Sequence, residues 1–559
     1  MAQHEQHTPT ITSPKKNHVT QHQWDLSSGD VFSSVDAVAV METKELSDED
    51  RRLAELGYAQ VYKREFSMWS TFSFALSISG LFASVTTTYS YPLYAGGAAS
   101  AVWCWLISGF GAMCIALSVA EIVSAYPTSG GLYFTCKYLA PAKWMAQISW
   151  LCGWLNILGQ IAGTASANYG CAQLLLAAVS MGSDFTYFPT AGHTVGVSAA
   201  LGFIQGAINS LSTKWLERIT KSYLLVHVGI LVSACITLLV MQKDKHSSSY
   251  VWTHVESRSG WTPVGWSFLF GFLSVSWTMT DYDATAHIAE EIKNPEIKAP
   301  WAISTALGAT YVGGWLFTIV LAYCMGDLED ILNSPVGQPV AQIFYNCTGK
   351  AGGIFFTVAA FLVANFCILA GIQAGSRTVW ALSRDEMLPF SRVWYRINKT
   401  SQTPLNALAL FCTCAVLINL IALGSSVTVA AIFNVTAIAY DWSYCIPILL
   451  KLRYGQFERG PWHLGRASTM INIWSCVWTA FVSVLFLMPT AMPVEPNTFT
   501  PQMNYASVIL VAIFVFSTAY WYIAGRKFYH GPRVNARLID GVSPDQDSEG
   551  HLKEALKQS

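Results

Sequence analysis

Charged residues are scarce in this chain of 559 residues, and their scarcity sets the class of protein. Asp, Glu, Lys and Arg together make up 12% of the residues, about half of the fraction in ordinary soluble domains. Hydrophobic residues make up 52%, and the mean hydropathy is +0.37. The composition favours an integral membrane protein, and the net charge of −1 gives no indication of nucleic-acid binding.

Three sequence signals are also missing. There is no Gly-x-x-x-x-Gly-Lys-Ser/Thr phosphate loop, which argues against a process driven by nucleotide hydrolysis. The polar N-terminal stretch lacks the apolar segment of a cleavable signal peptide, so the first membrane span must act as the targeting signal. None of the 13 cysteines forms a Cys-x-x-Cys pair. We therefore interpret the cysteines as core-filling residues, and we expect neither a bound metal nor a cofactor.

Long apolar stretches dominate the remaining sequence. A membrane-spanning helix needs about 20 predominantly apolar residues. Twelve stretches meet this need, centred near Ser79, Cys114, Gly159, Phe203, Ile230, Leu273, Gly313, Phe366, Thr413, Ala437, Trp478 and Phe514. The sequence thus predicts an all-α integral membrane protein with 12 transmembrane helices.

The distribution of positive charge predicts the topology. With a cytoplasmic N-terminus, the short inner loops carry 16 Lys and Arg residues and the outer loops carry 4. Because positive residues favour the cytoplasmic side, both termini are predicted to be cytoplasmic. The glycosylation tripeptide at Asn346 then lies outside, and the one at Asn398 lies inside and should stay unmodified.

Two predicted spans contain residues that suit a broken helix. One is Ser79-Gly80-Leu81-Phe82, and the other is the stretch Trp277–Asp283. A lipid-exposed break leaves backbone groups unsatisfied at a cost of several kcal/mol each, so paired breaks indicate a cavity that binds a solute. A helix that restarts after Gly80 would direct free N–H groups at a carboxylate. The alternative is a patch of small residues for helix packing. The paired breaks favour a transporter.

The sixth span carries charge inside the membrane, where charge is costly and tends to face a wet path or a partner. Asp281 is a candidate for receiving a substrate ammonium group or a coupled proton. Asp283, His287 and Glu290 or Glu291 share one helix face by their spacing, which favours a charged cytoplasmic gate over a metal site. Trp277 is either core packing or an aromatic lid over the solute.

Other intramembrane polar residues are weaker candidates. Glu121 closes the second span, Lys221 and His227 open the fifth, and Asp441 lies in the tenth. Each is a candidate for proton transfer, because burial and neighbours shift a pKa towards neutrality. The alternative for each is a hydrogen-bonded structural residue.

Several ordered motifs resemble the amino acid–polyamine–organocation superfamily, and within it the amino acid/choline transporter branch that includes fungal GABA permeases. The motifs run through nearly the whole membrane region. They are Leu56-Gly57-Tyr58, Lys63-Arg64-Glu65-Phe66-Ser67, Ser79-Gly80-Leu81-Phe82, Ala120-Glu121-Ile122, Pro127-Thr128-Ser129-Gly130-Gly131-Leu132-Tyr133, Gly153-Trp154-Leu155-Asn156, residues 283–291, residues 376–381 and residues 384–389.

The resemblance implies a LeuT-like fold: an inverted repeat of five plus five helices with discontinuous helices 1 and 6, and two further C-terminal helices. The corresponding boundaries are a largely disordered cytoplasmic tail at 1–66, a first repeat at 67–242, a second repeat at 263–450, the last two helices at 468–524, and a cytoplasmic tail at 525–559.

The resemblance also implies site residues. Backbone N–H groups of Ser79, Gly80 and Leu81 would hold the substrate carboxylate, and carbonyls of the stretch Ser276–Thr280 would take the amine, with Trp277 as a cap. The residues so implied in the sixth span are Ser276, Trp277, Thr278 and Thr280. At position 281 relatives usually carry a small residue, often glycine, so Asp281 biases the site towards amines or cations.

At the cytoplasmic end the resemblance implies a gate. Glu290 and Glu291 would pair with Arg377 or Arg384, and a charge swap of Glu291 with Arg384 would test the pairing. Lys221 would lie near the position where some relatives carry a lysine in place of a sodium ion.

Together these features predict a proton-coupled symporter for GABA or a related small amino acid, in a fungal plasma membrane or a vacuolar membrane. The transported partners would be the substrate and a proton, with no nucleic acid and no enzymatic reaction. One alternative is a choline or polyamine transporter of the same fold. Others are a nutrient receptor that signals through its N-terminal tail, and an exchanger without proton coupling.

Overall fold

The computed structural model describes residues 39–42, 46–424, 426–455, 457–494, 504–533 and 536–539. Most of the predicted N-terminal tail at 1–66 and of the C-terminal tail at 525–559 lies outside these residues. The described part is helical apart from two short strands, β1 (Ala39–Glu42) and β2 (Ala536–Ile539), which pair in parallel. The helical membrane fold predicted from the sequence is therefore confirmed.

The helices follow one another with short connections. They are α1 (Asp48–Glu55), α2 (Met68–Ser79), α3 (Leu81–Thr88), α4 (Ser90–Ala125), α5 (Gly131–Leu139), α6 (Ala142–Gly182), α7 (Ala191–Asn209), α8 (Thr213–Met241), α9 (Ser248–Thr253), α10 (Val264–Leu269), α11 (Phe272–Thr278), α12 (Ala284–His287), α13 (Pro295–Cys324), α14 (Leu328–Leu332), α15 (Pro339–Arg384), α16 (Ser391–Trp394), α17 (Leu405–Leu420), α18 (Ser426–Tyr454), α19 (Ser468–Leu487), α20 (Ala506–Tyr520) and α21 (Arg526–Phe528).

Within the described residues, eight helical segments are long and apolar enough to cross a membrane, by length and composition. They are Met68–Thr88, Ser90–Ala125, Thr213–Met241, Pro295–Cys324, Pro339–Arg384, Leu405–Leu423, Gly465–Leu487 and Ala506–Phe528. Three further helices have 41, 19 and 29 residues, namely α6, α7 and α18. The count of 12 spans and the inverted repeat stay predictions.

Both predicted breaks are present. Helix α2 ends at Ser79 and α3 begins at Leu81, because Gly80 has φ +47° and ψ 39°, a left-handed conformation that interrupts a right-handed helix. Helix α11 ends at Thr278 and α12 begins only at Ala284. The intervening residues 279–283 have no helical hydrogen-bond ladder, and Asp281 has φ +56°.

Long helices enclose these two breaks. Helix α13 packs against α2 and α4, and α6 packs against α15 and α18. The first break packs against α15, and α3 also contacts α11. The side chains around both breaks are buried, so the interrupted backbone lies inside the protein rather than in lipid.

Candidate functional site

The first break presents backbone donors inside the protein. Ser79 and Leu81 are buried on either side of Gly80. Gly80 donates its N–H to the carbonyl of Ser77 (3.0 Å), and Ser84 Oγ donates to the carbonyl of Ser79 (2.7 Å). The N–H groups in the first turn of α3 have no intrahelical acceptor, and they lie at the positive end of the helix dipole. This geometry suits a carboxylate.

Cys367 of α15 borders the first break. Its Sγ donates to the carbonyl of Ile78 (2.9 Å), and a Cβ built on Gly80 would lie 2.9 Å from its Cβ. Asp281 of the second break lies within electrostatic range of the same thiol. Cys367 therefore connects the two breaks. Sequence analysis missed this residue, because a lone cysteine in an apolar span has the pattern of a core-filling residue.

The second break carries polar atoms without partners. Thr280 Oγ1 and Asp281 Oδ1 are buried and have no hydrogen-bond partner in the described part of the chain. Buried polar atoms are nearly always hydrogen-bonded, so two adjacent orphans indicate a ligand position. The left-handed backbone at Asp281 also explains why glycine suits this position, and Asp is among the non-glycine residues that adopt it.

Trp277 lies beside the second break and contacts two helices. Its Nε1–H donates to Ser166 Oγ on α6 (3.1 Å), and its ring lies 4.8 Å from the Phe433 ring on α18. The hydroxyls of Ser276 and Thr278 are already engaged, the first with a serine on α4 and the second with a carbonyl of its own helix. These side chains fix α11 in place, and only their backbone carbonyls remain candidates for substrate contact.

Two buried ion pairs close one end of the protein. Arg377 Nε lies 2.7 Å from Glu291 Oε1, and Arg384 NH1 lies 3.0 Å from Glu290 Oε1. All four side chains are at most 2% exposed. The swap of Glu291 with Arg384 proposed from the sequence therefore joins residues that are not partners. The break before α12 sets the rotation of the two glutamates, which residue spacing alone does not determine.

The segment before α2 packs over these ion pairs. The Arg384 guanidinium lies 3.5 Å from the Tyr58 ring centroid, and the Arg377 guanidinium lies 5.7 Å from the Tyr62 ring centroid. The Tyr58 hydroxyl donates to Asp385 (3.0 Å). Burial, followed by the neighbouring Asp385 carboxylate, raises the pKa of Tyr58 well above its usual value, so this hydroxyl stays a donor.

Two candidates for proton transfer have other partners. Glu121 accepts from Lys451 Nζ on α18 (2.5 Å) and from Ser468 Oγ on α19 (2.6 Å), so it joins three helices. Lys221 lies 2.6 Å from Glu217 on its own helix, and its side chain is 52% exposed. Two other α8 residues bond to Ser73 of α2: the Thr220 carbonyl accepts from Ser73 Oγ, and the Leu224 N–H donates to it. Lys221 makes neither of these contacts.

Asp283 lies apart from the glutamate–arginine pairs. It is fully buried at the start of α12, and its carboxylate accepts from Asn156 Nδ2 on α6 (2.7 Å) and from the Tyr444 hydroxyl on α18 (2.5 Å). Neither donor was predicted, although Asn156 belongs to a motif quoted for the resemblance.

Comparison with known proteins agrees with this architecture. The sequence model of the amino acid permease family matches residues 66–515. An uncharacterised amino-acid permease of Schizosaccharomyces pombe is 58% identical over 496 residues, which cover 88% of this chain and 91% of that protein. Amino-acid permease 2 of Neurospora crassa is 47% identical over 518 residues, covering 92% and 94%. Amino-acid permease BAT1 of Arabidopsis thaliana is 32% identical over 508 residues, covering 87% and 96%.

The family match spans both helix breaks and the gate, and the relatives align along almost their full length. The resemblance seen in the sequence motifs is thereby confirmed: this protein belongs to the amino acid permease family of the amino acid–polyamine–organocation superfamily.

Proposed function

We propose that this multi-pass membrane protein is a proton-coupled symporter that imports GABA or a related small amino acid across the plasma membrane. Family membership supports an amino acid as the substrate class. Transport would proceed by alternating access in a LeuT-like arrangement of 12 spans, with five plus five in an inverted repeat. The proposals of GABA as substrate and of proton coupling rest on the geometry of the candidate site.

One observation carries the proposal: both helix breaks lie near Cys367, a half-buried residue, and they offer groups of opposite charge. The first-turn amides after Gly80 suit a carboxylate, and the unpartnered Asp281 Oδ1 suits an ammonium group. A small zwitterion whose two charged groups are separated would satisfy both ends. This arrangement supports an amino acid such as GABA.

The two buried ion pairs support alternating access. Glu290, Glu291, Arg377 and Arg384 are removed from water, so a path for solute at this end requires the pairs to separate. The parallel pairing of β1 with β2 supports an N-terminus and a C-terminus on the same side. With the predicted charge distribution, that side is the cytoplasm.

The deciding experiment is radiolabelled uptake in permease-deficient cells expressing the full chain. GABA uptake should rise as external pH falls and should collapse with a protonophore. Uptake that ignores both treatments identifies an uncoupled exchanger or facilitator and rejects symport.

Choline or polyamine transport is the second candidate, because Asp281 adds a carboxylate to the site. Competition of labelled GABA uptake by spermidine and by choline decides between the candidates. Stronger competition by either cation than by unlabelled GABA would favour the second candidate.

A nutrient receptor is tested by shortening the N-terminal tail. The deletion should end at residue 45, because Tyr58 and Tyr62 seal the gate and Arg64 forms ion pairs with Glu49 and Asp50. A transporter should keep its uptake in this variant. Normal signalling with lost uptake would favour a receptor, and normal uptake with lost signalling would favour a transporter.

A further inference from the structure

Asp283 and His287 form a buried acid–base pair one helical turn apart on α12. The distance from His287 Nε2 to Asp283 Oδ2 is 3.2 Å, and the side chains are 1% and 0% exposed. On the other side of the ring, His287 Nδ1 lies 3.1 Å from the carbonyl oxygen of Ser129, in the loop between α4 and α5. Both ring nitrogens of His287 therefore face an oxygen.

The hydrogen count of this arrangement requires an additional proton. A neutral imidazole has one N–H and one lone pair, and a carbonyl oxygen only accepts. Nδ1 must therefore carry a hydrogen for Ser129. Nε2 then needs a second hydrogen, carried either by His287 or by the Asp283 carboxyl. Without that hydrogen, two lone pairs would face each other at hydrogen-bonding distance.

The neighbours of Asp283 favour the proton on His287. Asn156 Nδ2 donates to Oδ2 (2.7 Å) and the Tyr444 hydroxyl donates to Oδ1 (2.5 Å), and both bonds stabilise an ionised carboxylate. An imidazolium ring is the arrangement that compensates the charge of this carboxylate.

Other ionisable groups face the pair from the surrounding helices. They are Asp281 and Tyr282 on the same segment, Tyr440 and Tyr444 on α18, and Cys152 on α6. The two arginines nearby have other partners, since Arg377 is paired with Glu291 and Arg384 with Glu290. Within the described part of the chain, His287 is therefore the basic side chain that lies against Asp283.

Ser129 connects this pair to the cytoplasmic gate. Its backbone N–H donates to Glu290 Oε1 (3.1 Å), the oxygen that also meets Arg384, while its carbonyl accepts from His287. Separation of Glu290 from Arg384 would therefore disturb the same residue that holds the His287 ring. Loss of the proton would in turn weaken the His287–Ser129 contact.

We propose that Asp283 and His287 together bind the proton that this protein co-transports, holding it while the gate is closed and releasing it when the gate opens. This inference rests on the proposed function, since it names the site of the coupled ion. Proton binding and gate closure share Ser129, so each must favour the other by thermodynamic reciprocity.

The test uses the full chain reconstituted in liposomes, with radiolabelled GABA and an internal pH-sensitive dye. The measured quantity is the number of protons taken up for each GABA molecule taken up. His287→Gln has no titrating ring, and this ratio should fall at least tenfold relative to wild type. Asp283→Asn provides a second variant with the same expectation. A wild-type ratio in either variant overturns the inference.

Tyr444→Phe is a third variant, which keeps both titrating groups and removes one donor to Asp283. Loss of the donor should make the pair hold its proton more tightly, so the midpoint of the pH dependence of GABA uptake should move to higher pH. An unmoved midpoint contradicts the inference. This measurement tests the inference even if His287→Gln and Asp283→Asn cannot be reconstituted.

The outcomes separate the two proposals. If wild-type protein takes up GABA without protons, the proposed symport fails and the inference fails with it. If wild type couples and His287→Gln couples equally, only the inference fails.

Discussion

Exchanging the charges of Glu291 and Arg377 should restore transport that each single change abolishes. The Arg377 Nε to Glu291 Oε1 distance is 2.7 Å, and neither side chain has any exposed surface. Glu291→Arg alone places two cations in contact, and Arg377→Glu alone places two carboxylates in contact. The double variant re-forms an ion pair of reversed direction.

The burial of this pair sets how much each single variant should lose. Breaking a buried ion pair by removing one partner costs about 3–5 kcal/mol, since an uncompensated charge stays buried. At about 1.4 kcal/mol per factor of ten, the closed gate should become about 10²- to 4 × 10³-fold less populated. Each single variant should therefore lose nearly all concentrative uptake. The double variant should recover at least tenfold over either single variant.

The assay is uptake of radiolabelled GABA, normalised to the amount of protein at the cell surface. The mismatched double variant Glu291→Arg with Arg384→Glu is the control, because Arg384 pairs with Glu290. It leaves two cations at one pair and two carboxylates at the other, so it should recover nothing. Equal recovery in both double variants would refute the pairing.

Three further predictions concern the site and the topology. Gly80→Leu should reduce uptake at least tenfold without loss from the membrane, because a side chain at φ +47° costs about 1–2 kcal/mol and meets Cys367; normal uptake would refute the carboxylate site. Cys367→Trp should block uptake by filling the border between the breaks, whereas Cys367→Ser should retain it, as measured in the same uptake assay. Glycosidase treatment should shift the mobility of a form modified at Asn346, an exposed residue, and Asn398→Gln should leave that shift unchanged; modification of Asn398 would invert the predicted topology.

The helix breaks were visible in the sequence because each has a local cause. A glycine has no steric barrier to the left-handed conformation, and Gly80 adopts it. The second break contains Asp281, a charged residue in an apolar span, and such a residue requires a partner or a cavity. Local chemistry therefore sufficed to locate both interruptions.

The contacts of the site were less accessible from the sequence. Cys367 has no local signal, since its importance comes from its position between two breaks that are distant in the chain. Ser129 acts through its backbone, and the side chain identity gives no indication of that contact. Lys221 has the expected residue type, but it pairs with Glu217 of its own helix and its side chain is 52% exposed.

The amino-acid sequence by itself determined that this is a helical membrane protein with two interrupted spans, because hydrophobic length and glycine chemistry act locally. The tertiary structure alone decided which glutamate meets which arginine. Those pairs join residues 86 and 94 positions apart, and their geometry depends on how α12 is rotated after a non-helical stretch. The same rotation brings His287 against the carbonyl of Ser129, a residue 158 positions away, whereas the spacing of four residues already placed His287 beside Asp283.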